Sequence, residues 1–169
     1  MKLKLLFLSA TIISLALTSC KKETTGASTL RIHMTDAPVA LDEVNVDLQQ
    51  VNIKFANDTS SWVNMQTVAG VYNLLGLQNG LDTLIAQGTF AQGDDVKEIR
   101  LVLGSNNSVK EAGTAYPLTI PGGSASGLKI KVNKKLSASL DSLLIDFDAA
   151  LSIQKEADGF KLRPVIKLK

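Results

Sequence analysis

Apolar and polar residues alternate with a period of two along most of this chain. The first run is Leu30, Ile32 and Met34, separated by Arg31 and His33. Successive side chains of a strand point to opposite faces of a sheet, so this period predicts half-buried strands. Further runs of the same kind occupy residues 44–48, 51–55, 62–65, 99–103, 116–120, 128–132, 143–153 and 160–168.

One of these runs changes phase. Apolar residues take even numbers from Val44 to Leu48 and odd numbers from Val51 to Phe55, with the change at Gln49-Gln50. A slip of one residue turns every following side chain to the other face. A single strand here therefore requires a β-bulge, and the alternative is a kink where the chain passes between two sheets.

Segments rich in Gly, Asn and Asp separate the runs, as turns do between short strands. About seven to nine strands with such turns predict one all-β domain, a sandwich or a barrel. Residues 71–77 and 81–87 are the two candidates for a short helix. Pro164 lies inside the last run and predicts an edge strand or a bulge there.

The first 19 residues have the pattern of an export signal. Lys2 and Lys4 precede an apolar stretch at 5–17, which is shorter than the roughly 20 residues needed to span a bilayer. Leu17-Thr18-Ser19-Cys20 then resembles the lipobox of bacterial lipoproteins. That resemblance implies diacylglycerol on the Cys20 sulfur, cleavage before Cys20 and fatty acylation of the new amino terminus. An ordinary secretory signal with an incidental cysteine is the alternative.

We therefore predict a signal peptide at 1–19, a lipidated cysteine with a flexible tether at 20–28, and a β domain at 29–169. Lys21 stands where some lipoproteins carry the Asp that retains them at the inner membrane, so the outer membrane is favoured, on either face. Cys20 is the only cysteine, so no disulfide can form within the chain.

The charge balance argues against a nucleic-acid partner. Loss of Lys2 and Lys4 from the 18 basic residues would leave as many as the 16 acidic ones, so the processed chain is formally neutral. Nucleic-acid binding normally requires a strongly basic domain or face.

Three local patterns together resemble a known family. They are Met34-Thr35-Asp36-Ala37-Pro38, the segment 72–80, and Asp146-Phe147-Asp148-Ala149 followed by Ser152 and by residues 162–166. In this order they resemble the bacterial envelope lipoproteins of the domain of unknown function 4382 family, over residues 28–168. The resemblance implies a β-sandwich in the style of transthyretin-like or immunoglobulin-like modules, and it assigns no catalytic residue. Segment 93–101 departs from the family pattern because it lacks an aromatic residue.

Three aspartates form the candidate metal site. Asp146 and Asp148 share one face of a predicted strand, about 6.6 Å apart, and Asp36 lies in a loop that can approach them. Three carboxylates suit Ca²⁺, which prefers oxygen ligands. In the alternative interpretation, Asp36 forms a turn before Pro38 and the strand aspartates pair with cations across the sheet.

Other features give weaker signals for chemistry. His33, the only histidine, lies on the polar phase of the first strand, and the chain has no Gly-x-Ser-x-Gly segment. A glycosidase would use Asp146 and Asp148 as its carboxylate pair, but nothing in the sequence indicates a deep sugar cleft. No enzyme activity is therefore predicted.

Three groups of residues suggest binding or modification. A basic stripe could face lipid headgroups or an acidic glycan, although a solvated strand face is the simpler interpretation. Three polar-tipped aromatic residues could stack on sugars. Two acceptor-like segments resemble the O-glycosylation sites of one group of Gram-negative envelopes, with Thr83 and Ser142 as acceptors. The stripe is Lys129, Lys131, Lys134 and Lys135; the aromatics are Trp62, Tyr72 and Tyr116; the segments are 82–84 and 141–143.

These observations predict a non-enzymatic, membrane-anchored envelope lipoprotein that serves binding, adhesion or assembly, with an unknown protein or glycan partner. The alternative is a calcium-dependent or glycan-binding domain that uses Asp36, Asp146 and Asp148. A hydrolase is the third hypothesis, and it requires a concave pocket with converging carboxylates.

Overall fold

The computed structural model describes residues 26–121 and 127–169 of the chain. The predicted signal peptide, Cys20 and most of the predicted tether lie outside these residues. Within the described part, no helix is long and apolar enough to cross a membrane.

Strands dominate the described residues, with one 3₁₀ helix and one four-residue α-helix. The strands of the first half are β1 (Ala27–Thr35), β2 (Glu43–Phe55), β3 (Val63–Asn64), β4 (Gln66–Thr67), β5 (Gly70–Asn73) and β6 (Thr83–Ala91). Those of the second half are β7 (Asp95–Leu103), β8 (Ser108–Glu111), β9 (Thr114–Thr119), β10 (Leu128–Lys135), β11 (Leu140–Phe147), β12 (Ile153–Glu156), β13 (Gly159–Leu162) and β14 (Ile166–Leu168). The 3₁₀ helix is Leu74–Leu77, and α1 is Ala149–Ser152.

The strands form two sheets. The small sheet has the order β14-β11-β1-β6-β4, and its central strand β1 runs parallel to β11 and antiparallel to β6. The large sheet has the order β10-β7-β2-β8-β9-β13-β12, and β3 and β5 also pair with β2. The two sheets pack face to face, which confirms the predicted all-β sandwich.

The core lies between the two sheets. Leu30 and Ile145 from the small sheet, and Ile53 and Ile99 from the large one, have no exposed surface. They belong to a single buried apolar cluster that includes both sheets. Burying a side chain of this size contributes about 1.5–3 kcal/mol, so the period of two supplies the main stabilising term.

The predicted bulge in β2 is confirmed. The register between β2 and β7 shifts between Leu48 and Gln50, and Gln49 between them is exposed. The extra residue keeps Val46 and Val51 on the buried side of the strand although their numbers differ in parity.

The domain begins two residues earlier than predicted. β1 starts at Ala27, and Ser28 is fully buried, where its hydroxyl donates to Asp141 Oδ2 (2.9 Å). Ser28 was expected in the flexible tether because small polar residues are typical of linkers. Its distant partner on β11 places it in the fold.

The long run at 143–153 is not one strand. β11 ends at Phe147, α1 follows, and β12 begins at Ile153. The Asp148 side chain accepts the backbone N–H of Leu151 and so caps α1. Alternating apolar residues continue through this break, which is why the period alone does not reveal it.

The structure also shows which elements the two helix candidates and the segment around Pro164 form. Residues 81–87 fall largely in strand β6, whereas 71–77 combine β5 with the 3₁₀ helix. The run at 160–168 is not one strand either: Pro164 lies outside both strands, between β13 of the large sheet and β14 at the edge of the small sheet.

Candidate functional site

The three sequence patterns meet at one end of the small sheet, in a region that we call the motif junction. It joins the loop after β1, the segment 77–81 and the segment from Asp146 to Ser152. The Thr35 hydroxyl contacts the carbonyl oxygens of Leu77 (2.8 Å) and Leu81 (2.7 Å). The Asp36 N–H donates to the Leu77 carbonyl (3.1 Å). The first and second patterns are therefore fastened to each other directly.

Asp36 connects all three patterns through its side chain. Oδ2 accepts a hydrogen bond from Gln78 Nε2 (3.1 Å), and Oδ1 accepts one from the backbone N–H of Ala149 (2.9 Å). The residue is 3% exposed. Burial raises the pKa of this carboxyl, although the hydrogen bonds from Ala149 and Gln78 oppose the shift. One buried carboxyl thus holds the second and third patterns against the first.

Asp148 and Ser152 fasten the third pattern to the C-terminal segment. Asp148 Oδ1 accepts the Leu151 N–H (3.0 Å), and its Oδ2 lies 3.6 Å from Lys167 Nζ. Ser152 Oγ accepts the Val165 N–H (2.8 Å). Asp148 therefore combines a helix cap with a cross-strand ion pair.

Asp146 is the least satisfied of the three aspartates. Its Oδ2 lies 3.0 Å from Lys169 Nζ, whereas its Oδ1 is buried without a hydrogen-bond partner. Asp146 also raises the pKa of Asp36 through charge repulsion, a smaller contribution than burial. A buried acceptor without a partner costs about 1–3 kcal/mol, so this oxygen has unused binding capacity.

The three aspartates are engaged by groups of the protein itself, and Asp36 bonds distant segments instead of the local turn of the alternative interpretation. Both oxygens of Asp36 accept hydrogen bonds from protein donors, and Asp146 and Asp148 pair with lysines. Among residues 26–121 and 127–169, no three His, Cys, Asp or Glu side chains are grouped as metal ligands. The contacts of the motif junction therefore act as a clasp, in the sense that they hold distant segments of the chain together.

A shallow recess lies on the outer face of the small sheet. His33 Nδ1 and Asp82 Oδ1 are 2.5 Å apart at its rim. Ser142, Leu144 and Lys169 also line this recess of about 340 Å³. No hydrogen bond joins Ser142 to His33 in the described part of the chain, so the serine–histidine contact of a catalytic triad is not formed.

The two predicted glycosylation acceptors lie near this recess. Ser142 is exposed and lines it, while Thr83 is half-buried at the start of β6, next to Asp82. Ser142 is thus the more accessible of the two hydroxyls.

A second polar region covers the outer face of the large sheet, and we call it the basic face. It consists of Lys54 on β2, Lys97 and Arg100 on β7, and Lys129 and Lys131 on β10. Cross-strand pairing places Lys129 beside Arg100, and places Lys131 and Lys54 on either side of Glu98.

Trp62 lies among these cations. Lys54 Nζ is 4.5 Å and Arg100 Cζ is 4.6 Å from its ring, distances at which cation–π attraction operates. The Arg100 guanidinium also donates twice to Asn52 Oδ1 (2.9 and 2.8 Å), and Asn52 is fully buried. The sequence did not reveal this network, since its members are far apart in the chain.

The predicted basic stripe is divided between two environments. The register of β10 shifts between Lys131 and Lys134, so that Lys134 turns toward the small sheet and lies 2.8 Å from Asp141. Lys129, Lys131 and Lys135 remain exposed. Half of the stripe therefore supplies the basic face, while Lys134 helps to join the sheets.

Ion pairing is unevenly distributed over the surface. Eight of the lysines and arginines in the described residues have an acid within 4.0 Å. The six that have none within 26–121 and 127–169 are Arg31, Lys97, Arg100, Lys129, Lys131 and Lys135. Five of these six lie on β7 and β10, so positive charge without a partner is concentrated at this edge of the large sheet.

The predicted sugar-stacking aromatics each have partners within the chain. The Tyr72 hydroxyl donates to the Val68 carbonyl (2.6 Å), and the Tyr116 ring packs 5.2 Å from that of Phe160. Trp62 contacts the cations of the basic face. The three rings belong to separate local clusters of contacts.

The comparisons with known proteins identify a family but no activity. A model of the family described as Domain of unknown function (DUF4382) matches residues 27–164. The match starts at the first residue of β1 and contains the motif junction up to Pro164. No curated protein and no solved structure matches the chain.

Proposed function

Because the chain belongs to the DUF4382 family of domains of unknown function, we propose its role from its own residues: it is a non-enzymatic, lipid-anchored module of the bacterial cell envelope. Through its Cys20 anchor it is held at a membrane, where it serves binding, adhesion or assembly with a protein or glycan partner. Lys21 after the cysteine favours the outer membrane.

The short distance from Cys20 to the fold is the observation that carries this proposal. β1 begins at Ala27, so only six residues separate the lipobox cysteine from the first strand. Each residue of extended chain spans at most about 3.6 Å. Lipid on Cys20 would therefore hold the sandwich within about 25 Å of the bilayer.

Acylation of Cys20 is the direct test. We expect radiolabelled palmitate to enter the wild-type protein, and the intact mass to show a chain that begins at Cys20 with acyl groups attached. Cys20→Ala should lose the label, while Lys22→Ala, its matched control, should keep it. Label retained by Cys20→Ala, or a mature mass without acyl groups, would contradict the anchor.

The membrane assignment has its own variant. Lys21→Asp would introduce the residue that retains some lipoproteins at the inner membrane. We expect this change to move the protein from the outer-membrane fraction to the inner one in a density gradient. Wild-type protein found in the inner-membrane fraction would refute the assignment.

The state of the polar groups supports a non-enzymatic role. The carboxyls of the motif junction are bonded within the fold, and the His33–Asp82 pair lies in a shallow recess beside a serine that it does not contact. Neither arrangement presents converging groups to a substrate in the way that acid–base catalysis requires.

A calcium-dependent domain is the second candidate, and the unpartnered Oδ1 of Asp146 favours it. Calcium bound at Asp36, Asp146 and Asp148 in the folded state would raise the melting temperature, and the rise would grow with the logarithm of the Ca²⁺ concentration above the dissociation constant. The leading proposal expects the same melting temperature in excess Ca²⁺ and in EDTA. A rise with Ca²⁺ that is lost in Asp146→Asn would establish the calcium site instead.

O-glycosylation at Thr83 and Ser142 is a separate proposal, supported by the exposure of Ser142. Protein purified from its native host should carry hexose-sized mass increments, and those increments should be lost in Thr83→Ala and Ser142→Ala. A native mass without such increments would refute glycosylation and leave the anchor proposal untouched.

A further inference from the structure

The chain enters the fold at the end of the sandwich that lies next to the basic face. The Gly26 carbonyl accepts the N–H of Gln92 (2.7 Å), in the turn between β6 and β7. The N–H of Gly93 donates to the carbonyl of Leu136 (2.7 Å), and the N–H of Leu136 donates to the carbonyl of Asp94 (2.9 Å). The start of β7 and the end of β10 therefore surround the point where the tether arrives.

The cations of the basic face lie close to this point. The N–H of Ala56, two residues after Lys54, donates to the Asp95 carbonyl (2.8 Å). At about 3.3 Å per residue of strand, the row formed by Lys54, Glu98 and Lys131 is about 10 Å along β7 from Asp95. The stretch from Cys20 to Gly26 can span about 20 Å, which allows this face to reach the membrane that holds the cysteine.

The charge on this face is complementary to an anionic surface. Lys97, Arg100, Lys129 and Lys131 have no acid within 4.0 Å among the described residues, and Glu98 pairs with Lys54 (3.5 Å). The other nearby acids are Asp58 and Asp94, outside the strands, and Asp95, the first residue of β7. Asp58 Oδ1 accepts hydrogen bonds from the N–H and hydroxyl of Ser60 and from the N–H of Ser61.

Trp62 adds a feature suited to a lipid–water boundary. It is the only tryptophan, it is half-buried, and it lies between Lys54 and Arg100 on this face. Tryptophan is enriched at membrane interfaces because its ring is apolar and its N–H is polar. A cationic face with one such ring suits headgroup contact without deep insertion.

We propose that the basic face lies against the anionic headgroups of the bilayer to which Cys20 is attached. This deepens the proposed function, on which it rests for the anchor, by adding a second attachment and fixing an orientation. The outer face of the small sheet, with the recess at His33 and Ser142, then points away from the membrane.

The test uses residues 21–169, which contain every strand of the fold and lack the lipid and the leader. Vesicles of phosphatidylcholine are compared with vesicles in which about one third of the lipid is phosphatidylglycerol. We expect the protein to sediment with the anionic vesicles only, to be released by added salt, and to shift its Trp62 fluorescence to shorter wavelength on binding.

Two double variants with the same loss of charge sharpen the test. Lys129→Gln with Lys131→Gln removes cations from the basic face, whereas Lys155→Gln with Lys161→Gln removes cations that pair with Glu111 and Asp158. Each cation near an anionic surface contributes about fivefold to partitioning. We expect at least a tenfold loss in the first double variant and less than a twofold loss in the second.

Equal losses in the two double variants, or equal binding to both kinds of vesicle, would overturn the inference. Retention by an acidic polysaccharide such as alginate, without vesicle binding, would also overturn it and assign the face to a glycan. Because the tested protein lacks Cys20, none of these outcomes depends on acylation. The palmitate experiment therefore tests the Cys20 anchor independently of vesicle binding by the basic face.

Discussion

The motif junction and the basic face are both polar, but they satisfy their polar groups in opposite ways. In the motif junction, the carboxyl of Asp36 is buried and accepts hydrogen bonds from two other segments of the chain. On the basic face, Lys129 and Lys131 are exposed and have no acid partner in the described residues. Asp36 completes its interactions inside the fold, although Asp146 Oδ1 beside it does not, whereas the exposed cations of the basic face have capacity for something outside the fold.

This difference separates the three sequence patterns from the proposed membrane-binding surface. The patterns lie in the motif junction, where they hold β1, the 77–81 segment and the β11–α1 segment together. The patterns therefore report how the sandwich is closed. The basic face contains none of the three patterns and includes Lys129 and Lys131 of the predicted basic stripe.

The largest expected effect is the loss of the Asp36 carboxyl. Asp36→Ala leaves the buried N–H of Ala149 without its acceptor and leaves the Gln78 amide only its longer bond to the Ala37 carbonyl (3.4 Å), and we expect about 3 kcal/mol of destabilisation. In a chain of this length, that corresponds to a fall of roughly 10 °C in melting temperature. Urea unfolding followed by circular dichroism measures the change.

The control for Asp36→Ala is Asp158→Ala, which removes an exposed carboxyl paired with Lys161. We expect it to cost less than about 0.5 kcal/mol. If the two variants lost similar stability, the motif junction would not be the clasp that its geometry indicates.

Asp141 should give the next largest effect, and it should depend on pH. Burial would raise its pKa, but hydrogen bonds from Lys134, Ser28 and the N–H groups of Ala138 and Ser137 prevail and lower the pKa to about 2. An unfolded aspartate titrates near 3.9. The ionised form is thus favoured by folding, and its contribution is present above about pH 4 and lost as the pH falls toward 2.

We therefore expect Asp141→Asn to cost about 2 kcal/mol at neutral pH and progressively less between pH 4 and pH 2. Unfolding measured at several pH values compares the variant with the wild type. A difference that does not change with pH would show that packing, and not the carboxylate charge, holds Ser28 and Lys134 to β11.

The smallest effect on stability is expected on the basic face. Lys129→Gln with Lys131→Gln should change the free energy of unfolding by less than about 0.5 kcal/mol, because exposed side chains without partners contribute little to folding. Urea unfolding of this variant beside Asp36→Ala tests the contrast directly. A loss above about 1 kcal/mol would mean that these cations serve the fold after all.

Much of the sandwich could be predicted from the period of two. The alternation placed β1, β2, β7 and β10 correctly, and the phase change at Gln49-Gln50 located the bulge in β2. These features are visible because core burial acts on every second residue of a strand. The cap at Asp148 and the burial of Ser28 were not visible, since both depend on single hydrogen bonds that leave the apolar pattern unchanged.

The candidate site was predictable in part. The sequence predicted that Asp36 approaches Asp146 and Asp148. In the structure, Asp36 accepts the N–H of Ala149, next to Asp148, and the charge of Asp146 raises the pKa of Asp36. The sequence did not identify the partners of Asp36, which lie 42 and 113 positions away at Gln78 and Ala149. The basic face was predicted only in part: Lys129 and Lys131 belong to the predicted stripe, whereas Lys54, Lys97 and Arg100 come from two other strands.

The parallel pairing of β1 with β11 sets an order for folding. Thr29 pairs with Leu140 and Thr35 with Asp146, so the middle of the small sheet joins the first strand of the chain to one of the last. Contacts of such long sequence separation form slowly, because a large loop must close first. During synthesis from the amino terminus, β1 therefore has no β11 to pair with until residue 146 has been made. Until then, the middle of the small sheet cannot form.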